Sequence, residues 1–276
     1  FKDIETHNHF NAIEFTDKKQ VNYFLKKNLD DIERGCFADQ VKNVKKIDLS
    51  FVEINGDDFT YLLSQSTQLE TLTCGFFNDY SSINLEKRSL GKLKALTLRS
   101  TSIKNCVNLL SATTCLEKLD LSRMHGLTAK EFELDVFGDI KELSFNLKTE
   151  KDIESLHLLL NAMPKIDKLY LSFGYGMVVK NFIIKLSNLP HLDKLQNINI
   201  DGHVMTINDS LLALLLANGE NVKEIALSEC DEITDNFVSP AFNLSNLEKL
   251  KFHDLKITGG SLELILSKAT SLRKLE

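Results

Sequence analysis

One spacing governs this chain. The pattern apolar-x-x-apolar-x-apolar returns along it: VKKIDL at Val44, LETLTC at Leu69, LKALTL at Leu93, LEKLDL at Leu116, IKELSF at Ile140, IDKLYL at Ile166, LQNINI at Leu195, VKEIAL at Val222 and LEKLKF at Leu247. A tenth copy, LRKLE, begins at Leu272. The middle apolar residues fall at positions 47, 72, 96, 119, 143, 169, 198, 225, 250 and 275, so successive copies are 23 to 29 residues apart. A composition that is 43% hydrophobic supplies apolar residues everywhere but does not space them so evenly. A period of this length means stacked supersecondary units, each burying its apolar face on its neighbours.

The chemistry within each copy says what the unit is. The last two apolar residues of the pattern sit two apart, as on one face of a strand, so Ile47 and Leu49 point inward while Asp48 points out. A turn follows, and then an apolar residue ahead of a helix-capping type: Ile54-Asn55, Ile83-Asn84, Leu127-Thr128, Ile207-Asn208, Ile233-Thr234 and Ile257-Thr258. Thr128 with Glu131 has capping-box spacing. Helical apolar spacing comes next, as at Phe59, Leu62 and Leu63 or Ile153, Leu156, Leu159 and Leu160. Pro240 is expected to shorten the eighth helix.

Repeat length and the L-x-x-L-x-L core together resemble the leucine-rich-repeat family, from about Val41 to Glu276. The resemblance implies an α/β solenoid: a curved horseshoe with a parallel β-sheet on its concave face and helices on its convex face. Extracellular members carry an asparagine three residues after the last strand apolar. That column here reads Val52, Phe77, Thr101, Met124, Lys148, Gly174, His203, Cys230 and Leu255, with no asparagine. The stretch LSECDEITDNF from Leu227 is similar to the cysteine-containing subtype of intracellular ubiquitin-ligase substrate receptors, and the longer copies near Leu195 resemble the ribonuclease-inhibitor type.

Residues 1–40 stand outside this register. Thr16 to Arg34 reads as an amphipathic helix on Val21, Phe24, Leu25, Leu29 and Ile32, stopped by Gly35. The expected organisation is thus a helical cap over 1–40 and a solenoid over 41–276, of nine complete copies and a truncated tenth. Because the sequence stops within a strand pattern, further chain is expected beyond it.

Chemistry-bearing motifs are scarce. No P-loop, H-E-x-x-H, G-x-S-x-G or EF-hand pattern is present. His7 and His9 lack companions at metal spacing, and Phe173-Gly-Tyr-Gly176 lacks the third glycine of a phosphate-binding loop and reads as a turn. Five cysteines (Cys36, Cys74, Cys106, Cys115 and Cys230) form no C-x-x-C pair, and their odd number fits a reducing compartment better than a disulfide framework. Cys106 and Cys115 are expected to be small buried hydrophobes. The sequons Asn208-Asp-Ser and Asn243-Leu-Ser matter only in a secreted chain. A net charge of −6 disfavours phosphate-backbone binding, and no apolar run reaches the 18 residues of a membrane span. The expectation is a non-catalytic protein without cofactor or metal, cytoplasmic or nuclear, binding neither nucleic acid, membrane nor small-molecule substrate.

Function should then sit on the outward strand positions, which line up in columns across the sheet. Two groups stand out. Tyr170, with Phe173 and Tyr175 just beyond it, forms an aromatic island beside Asn146, Asn199 and Asp201, and aromatics dominate binding hot spots. Lys249, Lys251, His253 and Lys274 form a basic patch suited to an acidic partner segment. Solvated side chains and turn packing remain the alternatives at both places. The expected role is a protein-interaction module using the concave face. The alternative is the substrate-receptor portion of a ubiquitin ligase whose adaptor-binding segment lies outside this sequence. A small-GTPase regulator and a binding region attached to a separate catalytic domain also remain open.

Overall fold

The computed structural model describes residues 12–14, 41–50, 54, 56–75, 83–102, 107–125, 135–173, 190–201, 209, 213, 220–230, 233–237 and 243–276. Two compact units divide the chain, Phe1–Asp139 and Ile140–Glu276. In the first, strands β1 (Ala12–Glu14), β2 (Lys46–Leu49), β3 (Thr71–Cys74), β4 (Ala95–Ser102) and β5 (Lys118–His125) lie side by side in chain order. In the second, β6 (Glu142–Leu147), β7 (Lys168–Phe173), β8 (Asn197–Asp201), β9 (Glu224–Ser228), β10 (Lys249–His253) and β11 (Lys274–Leu275) do the same. All pairings described within each unit are parallel and the sheet is open. This is an α/β arrangement compatible with a solenoid.

Registers follow the repeat. Ile47 pairs with Leu72, Leu72 with Leu96 and Leu96 with Leu119 in the first unit. Leu143, Leu169, Ile198, Ile225, Leu250 and Leu275 continue the column in the second. From β2 to β9 the three apolar residues of every copy are buried, from Val44, Ile47 and Leu49 to Val222, Ile225 and Leu227. Each such side chain stabilises the fold by roughly 1.5–3 kcal/mol. The repeat is therefore the core itself.

Ahead of the first expected copy, Ile13 of β1 pairs with Ile47. Phe10-x-x-Ile13-x-Phe15 has the apolar spacing of a copy, displaced by 34 residues from the next. That step falls outside the 23 to 29 of the others, so sequence spacing passed over it. The helix expected over Thr16 to Arg34 and its stop at Gly35 lie outside the described residues, as do Asn55, Thr128, Glu131, Asn208 and Pro240.

Among the described residues, four α-helices cover parts of the inward face. Helix α1 (Gly56–Gln65) buries Phe59, Leu62 and Leu63, and α2 (Val107–Ser111) buries Leu109 and Leu110. In the second unit α3 (Glu150–Asn161) buries Ile153, Leu156, Leu159 and Leu160, the four positions its spacing predicts. Its first turn is held by Asp152, whose carboxylate accepts from the backbone N–H of Lys148 and Thr149 at 2.9 and 2.7 Å. Helix α4 is Gly259–Lys268.

Two lateral devices lock neighbouring copies. At eight strand starts one carbonyl accepts two N–H groups from the next copy. The Lys45 carbonyl takes Glu70 and Thr71 at 2.8 and 2.9 Å, and the Gln196 carbonyl takes Lys223 and Glu224 at 2.7 and 3.0 Å. The same motif recurs at Glu70, Lys94, Lys141, Asp167, Lys223 and Glu248. Side chains reinforce it at Glu70, which bridges Lys45 at 3.0 Å and Lys94 at 3.5 Å. Hydrogen bonding and charge from Lys45, then charge from Lys94, hold the Glu70 carboxyl below its ordinary pKa.

The second device corrects a capping expectation. Thr258 does stand at the N-cap of α4, but no side-chain cap hydrogen bond forms there. Its hydroxyl and N–H both donate to Asp235 of the preceding copy, at 2.8 and 2.7 Å. Thr234 reaches Asp209 in the same way, both contacts at 2.6 Å. The I-T-D sequence thus links copies as well as starting helices.

Candidate interaction face

Opposite the buried face, the outward side chains of β6–β10 stand in rows set by register. Glu142, Lys168, Asn197, Glu224, Lys249 and Lys274 form the first row, and Ser144, Tyr170, Asn199, Ala226 and Lys251 the second. Asn146, Ser172, Asp201, Ser228 and His253 form the third. Residues of one row lie roughly 4.8 Å apart along the sheet. The structure therefore brings Tyr170 beside Asn199, and Asp201 between Ser172 and Ser228, as the sequence columns predict. All five are half-buried.

Phe173 does not belong with them. Strand β7 runs one residue further than expected, and period-2 alternation turns Leu169, Leu171 and Phe173 inward together. Phe173 is 2% exposed and pairs with Leu147, so it is core and not a partner contact. Tyr175 lies outside the described residues, as does the rest of the expected glycine turn.

The expected basic patch is gathered, but around carboxylates. Glu224 accepts from Asn197 Nδ2 at 3.0 Å and lies 3.5 Å from Lys249 and 3.8 Å from Lys251. Lys251 also meets Glu276 at 3.3 Å, and Lys274 pairs with Glu276. Those contacts lower the Glu276 pKa, the Lys274 hydrogen bond foremost, and raise that of Lys274. His253 sits 3.1 Å from Asp254, both exposed. Three lysines read as one positive field form a mixed network, because neighbouring strands place Glu224 and Glu276 among them.

Polar side chains elsewhere on this face serve each other. Ser228 Oγ donates to Asp201 Oδ1 at 3.1 Å, whereas the buried Oδ1 of Asn146 accepts no hydrogen bond among the described residues.

The first unit carries a feature that sequence columns misplace. Its third column reads Ser50, Gly75, Arg99 and Ser122, yet a register shift between β4 and β5 sets Arg123, and not Ser122, opposite Arg99. The trace in the sequence is the pair Leu121 and Met124, both buried but three residues apart. An extra residue between two inward side chains is a β-bulge.

Among the described residues, no group of three or more His, Cys, Asp or Glu could hold a metal ion. No helix among them is long and apolar enough to cross a membrane. His7, His9 and Cys106 lie outside the described residues. Cys74 and Cys230 are buried, but Cys115 is exposed against expectation. It occupies the position just before the strand pattern, where Lys194, Asn221 and Asn246 of other copies reach back to the preceding copy's carbonyls.

Comparison with known proteins finds no matching family model and no matching curated protein.

Proposed function

We propose that this chain is a leucine-rich-repeat module that binds a protein partner through the open face of its sheet, without catalysis of its own. One observation carries the reading: β7–β10 present three registered rows of half-buried or exposed side chains, all polar but Ala226, the arrangement of a surface and not of a cleft. Tyr170 is its aromatic anchor. Asn199 and Asp201 lie beside it, and Lys249, Lys251 and His253 form the charged margin. Buried Cys230, whose thiol donates to the Ser228 carbonyl at 3.1 Å, supports the cysteine-containing subtype over the secreted one, and with it a reducing compartment. The substrate-receptor role is the narrower version of the same reading.

Affinity capture with Tyr170→Ala/Lys251→Ala tests it. The variant should lose partners that the unaltered chain retains while unfolding at the same denaturant concentration. Retention of every partner would remove the open face of the second unit from consideration.

A further inference from the structure

We infer that Arg99 and Arg123, set side by side on the open face of the first unit, form an anchor for carboxylates of an acidic protein segment. Like charges directly opposite on neighbouring strands destabilise a sheet. Here the register shift creates such a pair by replacing Ser122 with Arg123 opposite Arg99. Bulges are over-represented where a side chain must be re-aimed next to a functional site.

Arg99 is half-buried and Arg123 exposed, and neither has an ion-pair or hydrogen-bond partner among the described residues. The one acidic residue of β4 and β5 is Asp120, opposite Thr97. Its Oδ1 instead accepts the N–H of Ser122 at 2.9 Å, and Asp48 does the same for Ser50 at 2.9 Å. Both strands carrying the arginines run eight residues, against four in β2 and β3. The extra length carries the guanidiniums' strands past the end of β3, where Gly75 offers no side chain.

A guanidinium presents a planar fork of donors that matches a carboxylate, and two forks suit two neighbouring carboxylates. Two guanidiniums suffice for two carboxylates, whereas a nucleic-acid backbone needs an extended basic face, which a net charge of −6 does not favour. The inference rests on the reading of the open faces as binding surfaces, and it adds the partner's chemistry.

The test uses the full chain and a fluorescein-labelled peptide of alternating glutamate and serine, followed by anisotropy at low and high salt. Arg99→Ala/Arg123→Ala should weaken binding by about tenfold or more. Arg99→Lys/Arg123→Lys should recover only part of the loss, since charge returns without the fork. Lys87→Ala/Lys92→Ala, which removes two exposed cations in turns of the same unit, should stay within about twofold of the unaltered chain. Thermal unfolding supplies a second readout: Arg123→Gln should raise Tm while weakening binding, because it relieves the like-charge contact. Peptide binding that survives loss of both arginines overturns the anchor, and so does tighter binding of a single-stranded RNA of equal charge. If Tyr170→Ala/Lys251→Ala still loses captured partners in either case, the open-face reading stands and only the anchor falls. A lower Tm in Arg123→Gln would make the pair a structural element and would also overturn the proposal.

Discussion

On the open face of the second unit Lys168, Lys249 and Lys251 each lie within 4 Å of a carboxylate, whereas on β4 and β5 two arginines stand opposite one another with no carboxylate partner among the described residues. Both faces come from the same parallel register, so the difference is not one of architecture. It lies in which residue occupies each column and in one extra residue in β5. Where Glu224 lies beside the lysine-bearing strand β10, charge cancels. Where a bulge slides Arg123 into Ser122's place, charge accumulates. Registered columns make surface charge as specific as core packing.

The comparison can be broken most forcefully through the residues that hold each face in place. Phe173→Ala should cost about 3–5 kcal/mol in urea unfolding, as for other buried aromatics. Tyr170→Ala, three residues earlier but outward, should stay within about 1 kcal/mol while reducing partner capture. Equal effects on stability would contradict the alternation on which the face is drawn.

In the first unit Gly75→Ala is the matching test. A Cβ there would lie 2.0 Å from the Ser50 carbonyl oxygen, which is backbone and cannot step aside. A loss of about 2–4 kcal/mol is expected, with faster amide exchange in β2–β4. Unchanged exchange there would mean that the close approach does not exist.

Glu224→Gln sharpens the contrast from the other direction. It should cost no more than about 1 kcal/mol, since these ion pairs are partly exposed. It should also leave Lys249 and Lys251 free to take up the glutamate peptide, so that the second unit imitates the first. No gain in peptide binding would mean that Glu224 does not set the charge of this face.

The smallest effect concerns Asp235, which has no counterpart among the described residues of the first unit. Hydrogen bonds from the Ser261 hydroxyl, then from the Thr258 N–H and hydroxyl, hold its carboxyl below the ordinary 3.8. The folded form therefore binds its proton less readily than the unfolded form. This contribution is complete above pH 3.8 and fades as the pH falls through the lowered folded value. Asp235→Asn should lower stability slightly at neutral pH, leave it unchanged below the lowered folded value and so flatten the acid limb of the stability profile, as followed by circular dichroism.

The strands were legible because the pattern that identifies them is the pattern that packs them. Ile47, Leu72 and their equivalents are at once the signal and the core. Residues whose role depends on a neighbouring copy were harder. Thr258 looks like a cap from its own surroundings, and only the adjacent copy supplies Asp235. Lys249 and Lys251 look unpaired until Glu224 is placed one strand away. Phe173 follows the six-residue pattern and so looks like a turn residue, although the strand continues through it. Ile13 shares the apolar spacing, but an interval of 34 residues hides it from a search for even steps. In each case the missing information is lateral, while sequence is read lengthwise.

The shared carbonyl at eight strand starts has a consequence for how such a chain can change over time. Lys45, Glu70, Lys94, Lys141, Asp167, Gln196, Lys223 and Glu248 differ in size and charge, yet all make the same paired contact through main-chain atoms alone. The coupling is thus indifferent to side-chain identity, and to whether the intervening segment is 23 or 29 residues long. A gene built from such units can gain, lose or exchange one by recombination at these junctions and keep its reading frame in space. Its recognition surface would change by whole columns at a time.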